Sequence, residues 1–186
     1  MRRDDAMNLP NYISLARLLS APVGIWFILN GDLAGAFWLF LVAGASDAVD
    51  GFVAKRFDSR SELGALLDPI ADKALIVSMV VTLGLAGYLP NWLVILIVFR
   101  DVLIIGGFVL TQFAAEPVNW RPLMISKVNT ALQIVLVAWT LAHLGLKVAD
   151  RNLTVILIDA VAATTVLSGA VYLVRWMRGF AGTEEV

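Results

Sequence analysis

The chain has 186 residues and a mean hydropathy of +0.83, with 60% hydrophobic and 16% charged residues. A soluble domain carries about a quarter charged residues, so this composition reads as an integral membrane protein. The net charge of -1 gives no signal for nucleic acid or acidic partners, and the absence of cysteine excludes disulfides, zinc–thiolate sites and thiol catalysis.

Each spanning helix needs about 20 residues. The uncharged runs, extended by their flanks, predict six helices at 13–30, 33–57, 65–86, 91–114, 124–146 and 153–177. The long apolar stretch 74–99 is broken by Gly84, Gly87, Pro90 and Asn91, which read as a turn. The connections are short, which predicts one all-α membrane domain over 1–186, with 1–12 as a cytoplasmic N-terminal segment and 179–186 as a flexible tail. Arg17 abuts the first apolar core and five further spans follow, so the first helix is read as retained, not as a signal peptide. Asp4 and Asp5 also argue against a mitochondrial transit peptide.

Ten of the 14 Lys and Arg side chains fall on the side that holds both termini, against Lys147 and Arg151 opposite and Lys73 and Arg100 inside spans. The positive-inside rule puts both termini and the 55–64 loop in the cytoplasm; the expected location is a bacterial inner membrane.

The segment "GASDAVDGFVAKRFDSRSELGALLDPIADKAL", Gly44 to Leu75, flanks that loop. Asp47 and Asp50 are three apart near the end of the second predicted helix, and Asp68 and Asp72 are four apart near the start of the third. Both spacings put a pair on one helical face. Ionised carboxylates in hydrocarbon are costly unless neutralised, and like charges close together repel or raise each other's pKa. A hard divalent cation removes that conflict, and carboxylates without His or Cys suit Mg2+ or Mn2+. Four can hold two such ions with positions open for phosphate oxygens. The plainer alternative is ion pairing with Lys55, Arg56, Arg60 and Lys73, which explains one acid more readily than four in two paired spacings.

Gly44, Ala48, Gly51 and Ala54 follow a small-x-x-small pattern suited to close helix packing. Gly51, beside Asp50, also clears space for a flat ligand against the backbone, and Gly64 stands at the loop exit.

The pattern resembles the CDP-alcohol phosphatidyltransferase signature, D-x-x-D-G-x-x-A-R-x8-G-x3-D-x3-D. Here it reads Asp47, Asp50, Gly51, Ala54, Lys55, Gly64, Asp68 and Asp72, with Lys55 where the signature has Arg. Arg56 follows, so the charge remains while the bidentate phosphate geometry is altered. "NLPNYISLARLL" is similar to the family's N-terminal segment. "FRDVLIIGG" and "RPLMISKVNTALQIVLVA" look most like members that use phosphatidylglycerol as acceptor and release CMP, more than those that use glycerol 3-phosphate.

The resemblance implies a six-helix membrane enzyme, commonly a homodimer, with a cytoplasmic-side cavity. Asp47, Asp50 and Asp68 would bind metal and the diphosphate of CDP-diacylglycerol, and Asp72 would reach a metal and serve as base. Gly51 and Ala54 fall in the family's nucleotide-binding segment, which with Lys55 and Gly64 completes the expected CDP-lipid site.

Arg100 lies mid-span; it either pairs with Asp101 or Asp159, or binds the phosphate of the acceptor. Lys127 binds the same phosphate or snorkels to headgroups, and Arg17 and Arg121 carry the same two readings, snorkelling ahead of phosphate binding. His143, the sole histidine, is read as a satisfied or interfacial side chain, and most of the six tryptophans as interface anchors. A cation-transporter reading needs polar residues continuing across the membrane. The second half of the third helix, "LIVSMVVTLGLAG", offers only Ser78 and Thr82.

Overall fold

A computed structural model describes the backbone of residues 9–57, 62–113, 124–150 and 152–181, and the side chains of 16–46, 73–107, 124–150 and 152–174. Its described residues form six helices: α1 (Leu9–Leu29), α2 (Leu33–Phe57), α3 (Glu62–Leu85), α4 (Asn91–Phe113), α5 (Met124–Gly145) and α6 (Leu153–Ala181). The helix over 33–57 falls where the apolar pattern predicts it. Three others run past their predicted ends. Helix α1 starts four residues early, with Pro10 in a first turn where its missing N–H costs nothing. Helix α3 starts at Glu62, whose charge suits a helix N-terminus. Helix α6 continues through Gly179 to Ala181, since no proline interrupts it. Most of the predicted tail, 182–186, lies outside the described residues, as does 1–8 of the N-terminal segment.

The turns follow from glycine. At the end of α1, Gly31 takes φ 78°, the Asp32 N–H donates to Phe27 O at 2.9 Å and the Gly31 N–H donates to Ile28 O at 3.0 Å. This pairing satisfies carbonyls that the helix end would leave open. Asp32 then caps α2, its Oδ1 accepting from the Gly35 N–H at 2.8 Å, a contribution of about 1 kcal/mol. Gly87 repeats the device after α3 with φ 79°: Tyr88 N–H to Leu83 O at 2.8 Å and Gly87 N–H to Gly84 O at 2.9 Å. Pro90 follows and its carbonyl accepts the first bond of α4, from the Leu93 N–H at 3.0 Å.

The chain divides into two compact units. The first comprises Met1–Leu89 and Val137–Asp150. Within it α1 packs on both α2 and α3, around a core that includes Ile28, Ala36, Met79, Val80, Leu83 and Leu141. Gly24 on α1 lets Met79 of α3 lie against the helix backbone. The second unit comprises Pro90–Leu136 and Arg151–Val186, in which α4 packs on α6. Leu93, Ile97, Leu136 and Val161 are fully buried there, but so are Asn129, Gln133 and Ser168.

Both units expose large apolar side chains, Trp26 at 61% and Ile95 at 68% among them, as lipid-facing helices do. Among the described residues, two segments are long and apolar enough to cross a membrane, Met124–Gly145 and Leu153–Val174.

Candidate active site

The signature residues fall on two helices. Asp47, Asp50, Gly51, Ala54 and Lys55 lie in α2, and Gly64, Asp68 and Asp72 lie in α3. Both segments are helical, which is the condition for spacings of three and four to align each acidic pair. The side chains of these eight residues lie outside the described residues. Gly64 sits within the first turn of α3, not in the connection before it. A Cβ built on Gly44 would meet nothing within 4 Å among the described residues.

The second unit holds a buried polar centre built around Arg100, which is 3% exposed. Its Nη1 donates to Asp101 Oδ1 at 2.9 Å. Its Nε and Nη2 both donate to Ser168 Oγ on α6, at 3.2 and 2.7 Å, and Nη2 also donates to Ser126 Oγ on α5 at 2.6 Å. Three helices therefore grip one guanidinium. Of its five N–H groups, one on Nη1 has no partner among the described residues. Of the two acidic partners expected for Arg100, Asp101 is the one it meets, and Asp159 is exposed. A buried cation without such partners would be strongly destabilising, and here a carboxylate and two hydroxyls solvate it.

One turn along α5 from Ser126, Asn129 is fully buried, and its Oδ1 accepts from Thr164 Oγ1 at 2.8 Å and Thr165 Oγ1 at 2.9 Å. Gln133, one turn further, is also fully buried, and its amide meets no hydrogen-bond partner among the described residues. Lys127 is exposed and makes no part of this centre; its neighbour Ser126 does.

Two other expectations meet the structure in opposite ways. Arg17 is 4% exposed, so its charge is met inside the protein and does not snorkel outward. His143 is satisfied, its Nδ1 2.6 Å from Val148 O and its ring stacked on Trp139, whose Nε1 donates to Asp150 at 3.2 Å. Trp26, Trp38 and Trp92 are exposed, as interface anchors would be. Trp120, Arg121 and the Trp176 side chain lie outside the described residues.

The serines and amides around Arg100 had a weak signal in the sequence. Ser126, Asn129 and Gln133 recur at spacings of three and four on α5, as do Thr164, Thr165 and Ser168 on α6. All six are uncharged, so a search for charge inside apolar runs passes over them.

The chain is 34% identical over 192 residues to CDP-diacylglycerol--glycerol-3-phosphate 3-phosphatidyltransferase 1, chloroplastic, of Oryza sativa subsp. japonica, covering 94% of this chain and 58% of that one. It is 34% identical over 185 residues to the cardiolipin synthase (CMP-forming) of Rattus norvegicus, covering 91% and 61%. Its identity to the cardiolipin synthase (CMP-forming) of Homo sapiens is 35% over 185 residues, covering 91% and 62%. The chain thus spans about three-fifths of the length of these relatives. The family model for CDP-alcohol phosphatidyltransferases matches residues 7–173, which takes in the acid-bearing helices α2 and α3 and the polar centre around Arg100 alike. With the signature spacing intact on two helices and the match running through almost the whole chain, the protein belongs to the CDP-alcohol phosphatidyltransferase family.

Proposed function

We propose that the protein is a membrane-embedded cardiolipin synthase of the CMP-forming type. It would transfer the phosphatidyl group of CDP-diacylglycerol to phosphatidylglycerol, giving cardiolipin and CMP. The observation that carries this reading is the signature spacing from Asp47 to Asp72 falling on two helices, α2 and α3. The acceptor is argued from the segments around Arg100-Asp101 and Ser126–Thr130, and the rat and human relatives support it. All six helices would cross the bilayer as a single domain. The Lys and Arg distribution then sets both termini and the acid-bearing segments on the cytoplasmic side. A homodimer is the assembly this reading carries.

A free glycerol hydroxyl of phosphatidylglycerol attacks the phosphorus that bears diacylglycerol. The bond from that phosphorus to the bridging oxygen breaks, and CMP leaves with the electron pair. Asp72 accepts the hydroxyl proton. Arg100 binds the acceptor phosphate, with its remaining Nη1 N–H and with directions now held by exchangeable serine hydroxyls. Lys127 adds positive charge on the same helix as Ser126. Gly51, Ala54 and Gly64 would leave room for the cytidine nucleotide, and Lys55 would supply positive charge for its phosphates.

Asp47, Asp50, Asp68 and Asp72 fit divalent ions by their donor chemistry: four hard carboxylates in a chain with no cysteine, whose one histidine is engaged on α5. Bound there, one or two Mg2+ or Mn2+ ions would supply charge neutralisation for the diphosphate and the departing CMP.

A second reading uses glycerol 3-phosphate as acceptor, and the rice relative at 34% identity favours it. Purified protein given CDP-diacylglycerol and each acceptor separately decides between them. CMP release with phosphatidylglycerol is expected. Release with glycerol 3-phosphate alone would transfer the assignment to phosphatidylglycerophosphate synthesis.

A further inference from the structure

We propose that Asn129 is a positioning residue for Arg100, setting the register of α6 against α5 so that two serine hydroxyls meet the guanidinium. The inference rests on the reading of Arg100 as the acceptor-phosphate group, and it adds a residue that neither the signature nor the reaction points to.

One atom of Asn129 holds two neighbours. Its Oδ1 accepts from Thr164 Oγ1 at 2.8 Å and from Thr165 Oγ1 at 2.9 Å. Consecutive residues on a helix point about 100° apart. An oxygen that takes both hydroxyls must sit in the cleft between them, which fixes α6 in rotation and in height. Asn129 itself is fully buried and Thr165 is 1% exposed, so water does not compete for the bond between them, while Thr164 is half-buried.

The joint bears on Arg100 from both sides. Ser168 is four residues past Thr164 and three past Thr165, on the same face of α6, and its Oγ accepts from Arg100 Nε and Nη2. Ser126 is three residues before Asn129 on α5, and its Oγ accepts from Nη2 at 2.6 Å. The two hydroxyls that flank Nη2 thus stand one turn from the Asn129 joint, one on each helix. Moving α6 along α5 would separate them and turn the fork. Thr164 has an alternative when Asn129 is lost: its hydroxyl also reaches Ala160 O at 2.9 Å and Val161 O at 3.1 Å within α6. The threonine can then satisfy itself inside its own helix, and nothing at this point ties the two helices.

The test is kinetic. Asn129→Ala breaks the joint from α5, and the isosteric pair Thr164→Val/Thr165→Val breaks it from α6 while leaving Asn129 in place. Each is expected to raise KM for the acceptor about tenfold, with KM for CDP-diacylglycerol and kcat at saturating acceptor within about twofold of the parent. The combined triple variant should be no worse than either alone, because all three changes remove one interaction. Asn129→Gln, which keeps the amide but moves its oxygen by one methylene, should behave as Asn129→Ala does. If the alanine variant does not fold, the valine pair carries the same comparison.

Equal rises in both KM values, a fall in kcat alone, or effects that add in the triple variant would overturn the positioning role. Arg100→Gln separates that failure from failure of the reading beneath it. An unchanged acceptor KM in Arg100→Gln overturns the acceptor-phosphate reading and the positioning role with it. A raised acceptor KM there, with parent-like Asn129 variants, overturns the positioning role alone.

Discussion

Arg100 and Ser168 stand 68 residues apart in sequence and share two hydrogen bonds, with Nε and Nη2 of the guanidinium both donating to one hydroxyl oxygen. A neutral hydroxyl is a modest acceptor, but here it meets two N–H groups of a buried cation. Ser168→Ala leaves both of those directions short of an acceptor while Asp101 and Ser126 still hold the rest. Loss of such a partner costs about 1–3 kcal/mol. For a chain of this size that lowers Tm by roughly 2–4 °C per kcal/mol, and Ser168→Thr, which keeps the hydroxyl, should recover most of it. Thermal unfolding of the purified protein in detergent reads this. Equal stability of the alanine variant would mean that the Ser168 bonds do not form.

Gln133 gives a prediction of the opposite sign. It is fully buried, one turn from Asn129, and both polar atoms of its amide lack a partner among the described residues. Replacing an unsatisfied buried amide by an apolar group of the same shape is neutral or stabilising. Gln133→Met should therefore hold or raise Tm in the same unfolding assay. A clear fall would show that the amide is bonded in the native protein, to water or to a substrate hydroxyl.

Gly145 closes α5 against the start of α2. A Cβ placed on it would lie 2.5 Å from Ala34 N and 2.6 Å from Leu33 C, both backbone atoms that cannot swing aside. Gly145→Ala should cost about 1–3 kcal/mol through overpacking. Gly106 on α4 is the matched control, because a Cβ there meets nothing within 4 Å among the described residues. Gly106→Ala should be neutral or stabilising, by up to about 1 kcal/mol of helix propensity. Equal effects at both positions would contradict the close approach of Gly145 to α2.

Much of the helical frame was legible because hydropathy and turn chemistry agree. Gly87 and Pro90 end one helix and open the next where the sequence predicts a turn, and α2 matches its predicted bounds. The helix ends at Leu9 and Ala181 were less legible, since hydropathy fades before the backbone stops being helical. The acidic signature was legible as a spacing on helices. The centre around Arg100 was only half legible. An arginine inside an apolar run announces itself and its neighbour Asp101 is adjacent in sequence, but Ser126, Asn129 and Ser168 come from other helices. Serine and threonine hydroxyls satisfy themselves within a helix, as Thr82 does on Ser78 O, so their presence does not mark a tertiary joint. Arg17 was open between phosphate binding and snorkelling in the sequence, and burial in the packed protein tells against the outward reach.

Removal of divalent ions tests the donor-set argument. Dialysis against EDTA should abolish CMP release from CDP-diacylglycerol, and Mg2+ or Mn2+ should restore it, since hard carboxylates prefer such ions. Full activity in the presence of excess chelator would contradict the assignment of Asp47, Asp50, Asp68 and Asp72 to metal.

The most direct measurement is CMP release by Asp72→Asn compared with the parent protein, both reconstituted with CDP-diacylglycerol and the acceptor that supports turnover. The change removes a proton acceptor at nearly constant shape. Loss of general-base catalysis is worth about 10²–10⁴-fold, so kcat should fall by at least two orders of magnitude while the protein still folds. CMP release at the parent rate would contradict the assignment of the reaction to the aspartates of α2 and α3.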